Sequence, residues 1–322
     1  HRADNLLEIT KNGVENYFYI FGGKDERSQD LIQGITLAGL FCDEVALMPE
    51  SFVNQATARC SVDGSKFWFN CNPAGPYHWF KINWIDERKK KRLIYMHFTM
   101  DDNFSLSEAI KARYASQWKG VFYKRYILGK WVVAEGVIYD MFDKTKHVLD
   151  KIEDIMLSKY YASCDYGTQN ATVFLLWQKC VDGTWVCLKE YYYSGRDEQK
   201  QKTDGEYADD LEKFLDGIEV EAIILDPSAA SFKAELRKRG LYVKKGKNDV
   251  ENGIRFTGSM LNIEKIKFME CCKNTIKEFA SYVWDGKASE QGEDKPVKEH
   301  DHCMDAVRYF CYTIIRKEVK WQ

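Results

Sequence analysis

In the first part of the chain, short apolar runs alternate with amphipathic stretches. Tyr17–Phe21 reads as a strand ending in Gly22-Gly23, and Ile35–Cys42 as a buried strand followed at once by Asp43-Glu44. Pro49 stands where a helix through Phe52, Ala56 and Arg59 would begin, because its fixed φ and missing N–H suit a first turn. Lys66–Cys71 is a further short strand, closed by Asn72-Pro73 and a Gly75-Pro76 turn, and Leu93–Phe98 is another. Ser105-x-x-Glu108 has the spacing of a capping box and predicts a helix through Ala109, Ala112 and Trp118. Strand-then-helix order of this kind builds an α/β layer with a mainly parallel sheet.

Around Gly129 and Gly136 the pattern changes, and the mixed run Trp131–Asp140 reads as a crossing segment between a domain at 1–135 and one at 136–322. Beyond it, Tyr160–Asp165 and Ala171–Gln178 are apolar strands. An Asp182-Gly183 turn then leads into Thr184–Tyr192, a hairpin signature. A helix around Tyr207–Leu215 precedes the strand Val220–Asp226, and helices are predicted over Ala230–Arg239, Glu264–Trp284 and His302–Arg316. Together these make an α/β sheet of mixed direction, and no internal repeat is visible.

At 322 residues the chain has room for two domains with cores of their own. Its 14% aromatic content supplies enough apolar area to offset chain entropy, which excludes low-complexity disorder. The longest apolar stretches fall far short of the ~20 residues that span a bilayer, so no membrane is expected. His1-Arg2-Ala3-Asp4 carries neither an initiator Met nor an apolar signal core and reads as the start of a fragment. Ten cysteines, several inside apolar runs and none in a Cys-x-x-Cys pair, fit buried reduced thiols better than a zinc ribbon. The net charge of −2 does not announce a nucleic-acid binder. Two local runs do more: Arg88-Lys89-Lys90-Lys91-Arg92, and residues 233–247, where Lys233, Arg237, Lys238, Arg239, Lys244, Lys245 and Lys247 face only Glu235. Such clusters neutralise phosphates and release counterions; the plain alternative is a solvated face.

The strongest constellation is acidic. Asp165 ends an apolar strand before Tyr166-Gly167, Asp226 ends another before Pro227-Ser228, and Asp305 interrupts the apolar helix around Cys303, Met304, Ala306 and Val307. Aspartate is poor in strands and unhelpful on an apolar helix face, so each placement needs a reason. Three carboxylates brought together repel unless cations bind, and hard oxygen ligands suit Mg²⁺ or Mn²⁺. Two such ions about 4 Å apart can activate a water and stabilise the leaving oxygen in phosphodiester cleavage. His302 shares a helix face with Asp305 at i,i+3, and Asp301 does so at i,i+4. The alternatives are equally concrete. An Asp before Gly or Pro can be a turn or helix cap, Asp305 can pair with Arg308 one turn on, and His300 has no assigned partner and reads as solvated.

Taken as a set, Phe21–Glu44, Phe69–Trp79, Ile127–Asp143, the DYG at Asp165, LDPSAAS from Leu225 and KEHDHCMDAVRY from Lys298 resemble the large terminase subunit of tailed bacteriophages. That family is a DNA-packaging motor ATPase with a nuclease attached. The resemblance implies a partial P-loop ATPase domain followed by a ribonuclease H-like nuclease domain that cuts concatemeric viral double-stranded DNA with two divalent metals. It implies that Asp165, Asp226 and Asp305 are the acidic triad, that His302 is an auxiliary metal ligand, and that the Asp182-Gly183 hairpin lies beside the nuclease cleft. The basic segment 233–247 would then hold the DNA backbone. Implied partners are DNA, a portal protein and a small terminase subunit, with a ring on the portal, in the cytoplasm of an infected or lysogenic bacterial host.

For the first domain the resemblance assigns Leu40–Glu44 as a Walker B strand. Asp43 would serve the Mg²⁺ shell, Glu44 would orient the attacking water, and Cys71-Asn72-Pro73 would be the coupling motif. A strand end plus helix cap is the plain alternative for Asp43-Glu44. Arg59 reads as a sensor arginine or, more simply, a surface helix charge. No G-x-x-x-x-G-K-[S/T] loop occurs; the Gly-Lys pairs at 23, 129, 246 and 286 are followed by Asp25, Trp131, Asn248 and Ala288. Without that loop no backbone nest cradles the β- and γ-phosphates. The chain is therefore expected to be a C-terminal portion of a large subunit, binding ATP only if the missing segment is supplied. A competing expectation is a motor subunit that binds DNA or portal without chemistry and needs a separate N-terminal polypeptide for ATP hydrolysis. A transposase or junction resolvase on the same fold is disfavoured by Asp43-Glu44 and Asn72-Pro73.

Overall fold

Asn12-Gly13, with both residues at positive φ (53° and 77°), closes a two-residue hairpin between β1 (Leu6–Lys11) and β2 (Val14–Tyr19). Both residues adopt the mirror-image turn whose twist matches the strands. The expected strand Tyr17–Phe21 covers only the end of β2. The computed structural model describes residues 5–23, 25–151, 156–167 and 170–319. The chain start at His1–Asp4 and the Lys24 of the first Gly-Lys pair lie outside the described residues.

The chain packs as two compact units, residues 1–98 with 129–132, and residues 99–128 with 133–322. Residues 99–128, expected in the first domain, thus pack with the second. In the first unit, β3 (Gly39–Cys42) and β4 (Lys66–Phe69) run parallel, in register from Gly39 against Lys66 to Cys42 against Phe69. Helix α1 (Glu50–Arg59) connects them and starts directly after Pro49. Its Phe52, Val53 and Ala56 join Cys42, Val45, Phe80, Trp84 and Ile85 in a small core. The strand expected over Leu93–Phe98 does not form, and most of its side chains face solvent. A run of apolar side chains with no ladder partner has nothing to hold it extended.

The second unit is built on a seven-stranded sheet. Helix α2 (Glu108–Gln117) precedes it, capped by Ser107, whose hydroxyl accepts from Ile110 N at 3.4 Å. The expected box at Ser105 is not used; Ser105 is instead engaged with Asn103. The strands are β5 (Val148–Leu149), β6 (Met156–Asp165), β7 (Ala171–Cys180), β8 (Trp185–Ser194), β9 (Ile223–Leu225), β10 (Val243–Lys245) and β11 (Ile266–Met269), in the order β10-β9-β6-β7-β8-β11-β5. β6, β7 and β8 form an antiparallel meander, while β9 lies parallel to β6 and β10 parallel to β9. This is the ribonuclease H-like arrangement, a mixed sheet within an α/β layer.

Five labelled helices cover this sheet: α3 (Asp204–Leu215), α4 (Ala230–Lys238), α5 (Val250–Asn262), α6 (Lys273–Ser281) and α7 (His302–Phe310). β7 shows why both sheet faces are covered. Val173, Leu175 and Trp177 enter one core with Phe268, Val307 and Phe310, while the alternating Phe174 and Leu176 enter another with Tyr207, Leu211, Phe232 and Leu236. A strand with period-2 side chains that are apolar at every position must be sandwiched. The single helix expected over Glu264–Trp284 is instead the strand β11 followed by α6. A four-residue apolar run such as Ile266–Met269 satisfies either period, and its pairing with β8 decides for strand. Helix α5 has no counterpart among the predicted elements; Asp249 caps it by accepting from Asn252 N at 3.1 Å.

Candidate active site

Register brings the first two carboxylates together. Cys164 pairs with Leu225 across the parallel strands β6 and β9, so the next residues, Asp165 and Asp226, emerge side by side at the carboxyl ends. Asp226 N donates to Cys164 O at 3.1 Å, which locks that junction. The third carboxylate comes from α7, which packs across the sheet through Phe310, stacked on Trp177 at 4.3 Å. One turn of this helix places His302 and Asp305 on the same face. Asp165, Asp226, Asp301, His302 and Asp305 all line one cavity of about 530 Å³, with Lys298 on its wall and Arg196 and Asp197 contributed by the loop after β8.

Each acidic group is held differently. Asp165 is 7% exposed, and burial raises its carboxyl to a pKa of about 7, with the nearby Asp305 and Asp226 charges adding to the effect. His302 works against this: Nδ1 lies 2.9 Å from Asp165 Oδ2. Burial disfavours the charged imidazole, but its hydrogen bond to Asp165 and the charge of that carboxylate outweigh this and hold His302 above its ordinary value. Asp305 Oδ1 accepts from the buried Arg308 at 2.8 Å (Nη2) and 3.3 Å (Nε). Asp305 Oδ2 lies 3.6 Å from Lys298 Nζ, which also sits 3.2 Å from Asp301 Oδ2. Asp226 accepts from Ser228 N and Oγ, both at 2.9 Å. Two plain alternatives from the sequence are therefore realised, the Asp226 turn and the Asp305–Arg308 pair, and both also fix the carboxylates that line the cavity.

Several supporting residues carry no sequence signal. Glu278 on α6 accepts from Cys303 N at 2.8 Å and Met304 N at 3.2 Å, and so satisfies the free amides that open α7. Burial pushes its carboxyl up to about 8. Asn248 accepts from Arg308 Nη2 at 3.2 Å. Asp301 and Lys298 complete the wall. Spacing on α7 singled out Asp301, but nothing local marks Glu278 or Asn248, because their partners are distant in sequence.

Among the described residues, no three His, Cys, Asp or Glu side chains stand grouped as a ready-made ion cage. The donor chemistry nonetheless suits a hard divalent cation. Carboxylates from β6, β9 and α7 share the cavity, one of them raised by burial, and the lysine ammonium drawn to Asp301 and Asp305 stands where a cation is favoured.

The Asp182-Gly183 hairpin lines the cavity with its open end, through Ala171, Tyr192 and Ser194, and not with its turn. Ala171 pairs with Ser194 at the cavity end of the hairpin, whereas Lys179 pairs with Trp185 near the turn. These ten-residue strands place Asp182-Gly183 about 30 Å from the carboxylates. The loop after Ser194 adds Arg196 and Asp197 to that lining.

Segment 233–247 is also divided. Lys245 ends β10 in register with Leu225, so Lys245 and Lys247 stand at the Asp226 end of the sheet, both exposed, with Lys244 half-buried before them. Lys233 lies in the first turns of α4, while Arg237 and Lys238 lie at its far end. Arg239 is engaged inward: it donates to Asp209 at 2.6 Å, Glu212 at 3.2 Å and Glu235 at 3.1 Å, and ties α3 to α4. Its charge is already matched.

In the first unit, Asp43-Glu44 and Cys71-Asn72-Pro73 adjoin at the carboxyl ends of β3 and β4. Asn70 joins them, its side chain accepting from Glu44 N at 2.7 Å and its carbonyl from Val45 N at 2.9 Å. Glu44 takes the left-handed conformation (φ 54°). Asp43, Glu44 and Asn72 are exposed, and burial pushes the Cys71 thiol up to about 11. Arg59 is half-buried rather than a free surface charge.

A ribonuclease H-like sheet with two carboxylates at its strand ends and a third on the helix packed across it, accompanied by a parallel β-α-β unit carrying Asp-Glu, defines a nucleic-acid-processing class of chain. A family profile described as terminase large subunit, T4likevirus-type, N-terminal, matches residues 2–146. The solved large terminase of a thermophilic bacteriophage is 62% identical, with a TM-score of 0.94 over 98% of this chain and 78% of that one. The same terminase solved in complex with ATP-gamma-S matches at 60% identity and a TM-score of 0.90, with the same coverage of both chains. The large subunit of the Escherichia phage T5 terminase is 26% identical over 301 residues, 85% of this chain and 65% of that protein. The chain therefore belongs to the terminase large subunit family, and it spans 65% of the length of this curated relative.

Proposed function

We propose that this chain acts in phage DNA packaging as a divalent-metal-dependent endonuclease on double-stranded DNA. The observation that carries the reading is the convergence of Asp165, Asp226 and Asp305, with His302, on one cavity at the carboxyl ends of a ribonuclease H-like sheet. Asp165, Asp226, Asp305 and His302 are the residues to hold the cation. Mg²⁺ or Mn²⁺ bound there supplies Lewis-acid stabilisation of the phosphate and lowers the pKa of a coordinated water. His302 holds Asp165 through Oδ2, and Arg308 holds Asp305 through Oδ1, which leaves Oδ2 toward the cavity. Lys245 and Lys247 contact the DNA backbone, and phosphate contacts make cutting largely independent of sequence. Lys233 and Lys244 support them, while Arg237 and Lys238 lie too far along α4 to share that surface.

In the same reading Asp43 and Glu44 serve a nucleotide's Mg²⁺ and water, and Cys71-Asn72-Pro73 couples nucleotide state to DNA movement. The partners are a portal protein and a small terminase subunit, in the host cytoplasm. The test incubates supercoiled plasmid with the chain and Mn²⁺, Mg²⁺ or EDTA, beside Asp165→Ala. Metal-dependent nicking that vanishes in the variant is expected; nicking that persists there overturns the site. A second reading, a subunit that binds DNA or portal without cutting, is favoured by the apolar side chains exposed on the first unit. Duplex binding by a folded chain with no nicking under any ion would select it.

A further inference from the structure

The cavity already holds a cation, supplied by the chain itself. Lys298 Nζ sits 3.2 Å from Asp301 Oδ2 and 3.6 Å from Asp305 Oδ2, between two carboxylates that are almost wholly buried. The lysine side chain is 64% exposed, so the ammonium has solvent to swing into. Asp305's other oxygen belongs to Arg308, which is buried and fixed. Oδ2 is therefore the oxygen that a divalent ion and Lys298 must share.

We propose that Lys298 is a tethered counter-ion of the candidate active site, a positioning residue that neutralises Asp301 and Asp305 in the metal-free state and is displaced when a divalent cation binds. The inference rests on the divalent-ion reading of the cavity given above. Two cations on one carboxylate repel at short range, so the ammonium weakens ion binding. Once displaced, it stands at the cavity mouth as a free positive charge, the chemistry that a substrate phosphate takes up. Ion and DNA binding thereby support each other: the ion frees the lysine, and the phosphate occupies it.

The experiment measures Mn²⁺ binding directly, from the loss of the free-ion EPR signal, in the full chain without DNA. Wild type, Lys298→Gln, Lys298→Arg and Asp305→Asn are compared, with thermal melts in EDTA to establish folding. Lys298→Gln is expected to bind Mn²⁺ roughly three- to tenfold more tightly than wild type, Lys298→Arg close to wild type, and Asp305→Asn much more weakly. Adding a short DNA duplex is expected to tighten Mn²⁺ binding in wild type and less so in Lys298→Gln. Equal or weaker affinity in Lys298→Gln overturns the role of Lys298 and leaves the ion assignment standing. If neither wild type nor Lys298→Gln binds Mn²⁺, or if Asp305→Asn binds as well as wild type, both are overturned.

Discussion

β7 and β2 are both rich in aromatic and β-branched residues, yet one is buried along almost its whole length and the other is exposed at every position. Their local preferences are alike; their neighbours are not. β7 has a strand on each side and a helix layer on each face, whereas β2 pairs only with β1. The same contrast separates the two units. Most of the large apolar side chains that stand exposed among the described residues, including Phe18, Phe41, Trp68, Ile94 and Phe98, belong to the first unit, while the second closes two continuous cores around its sheet. An apolar pattern thus states that a surface is to be covered, and only the fold states whether it is.

Breaking the contrast at the candidate site is expected to have the largest effect. Asp165→Ala or Asp305→Ala should reduce plasmid cleavage by roughly a thousandfold or more while circular dichroism stays unchanged; a folded variant that still cuts would remove the site from this cavity. Next comes the buried ion pair of Arg125 and Asp294, both inside the second unit. Arg125→Ala leaves a buried carboxylate unpaired and should cost about 3–5 kcal/mol in denaturant unfolding. Phe268→Ala in the sheet core should cost a similar amount, about 3–5 kcal/mol. Phe41→Ser on the first unit should cost under about 0.5 kcal/mol, and comparable losses at the two positions would erase the distinction between the units.

A smaller effect distinguishes the basic residues. Lys245→Ala with Lys247→Ala should weaken duplex binding and flatten its salt dependence by roughly one to two in slope. Arg239→Ala should lower the melting temperature and leave DNA affinity unaltered. The reverse pattern would return Arg239 to the DNA surface. A last effect, read from pH rather than from a loss of binding, concerns Glu278, whose folded-state pKa of about 8 exceeds its ordinary value. A raised carboxyl binds its proton more tightly when folded, so its stabilising contribution is complete below the unfolded pKa near 4.5 and is lost as pH rises through about 8. Melting temperature should fall across that window, and Glu278→Gln should flatten the fall.

The sequence by itself determined the elements whose period is unambiguous and whose ends carry their own chemistry. β6 and β7 are long apolar runs, the amphipathic stretch Tyr207–Leu215 falls within α3, and Asp165, Asp226 and Asp305 stand out because each runs against a local preference. A carboxylate at a strand end is visible without coordinates. Tertiary structure alone decided what joins those signals across long separations. It set the register that puts Asp165 beside Asp226, and it placed the Asp182-Gly183 turn at the far end of a ten-residue hairpin. It drew Arg239 into an inward clamp, and it brought Glu278 and Asn248 to α7. The reason is physical: propensity and capping act within a turn or two of helix, whereas the partners of a buried charge are chosen by which surfaces pack together.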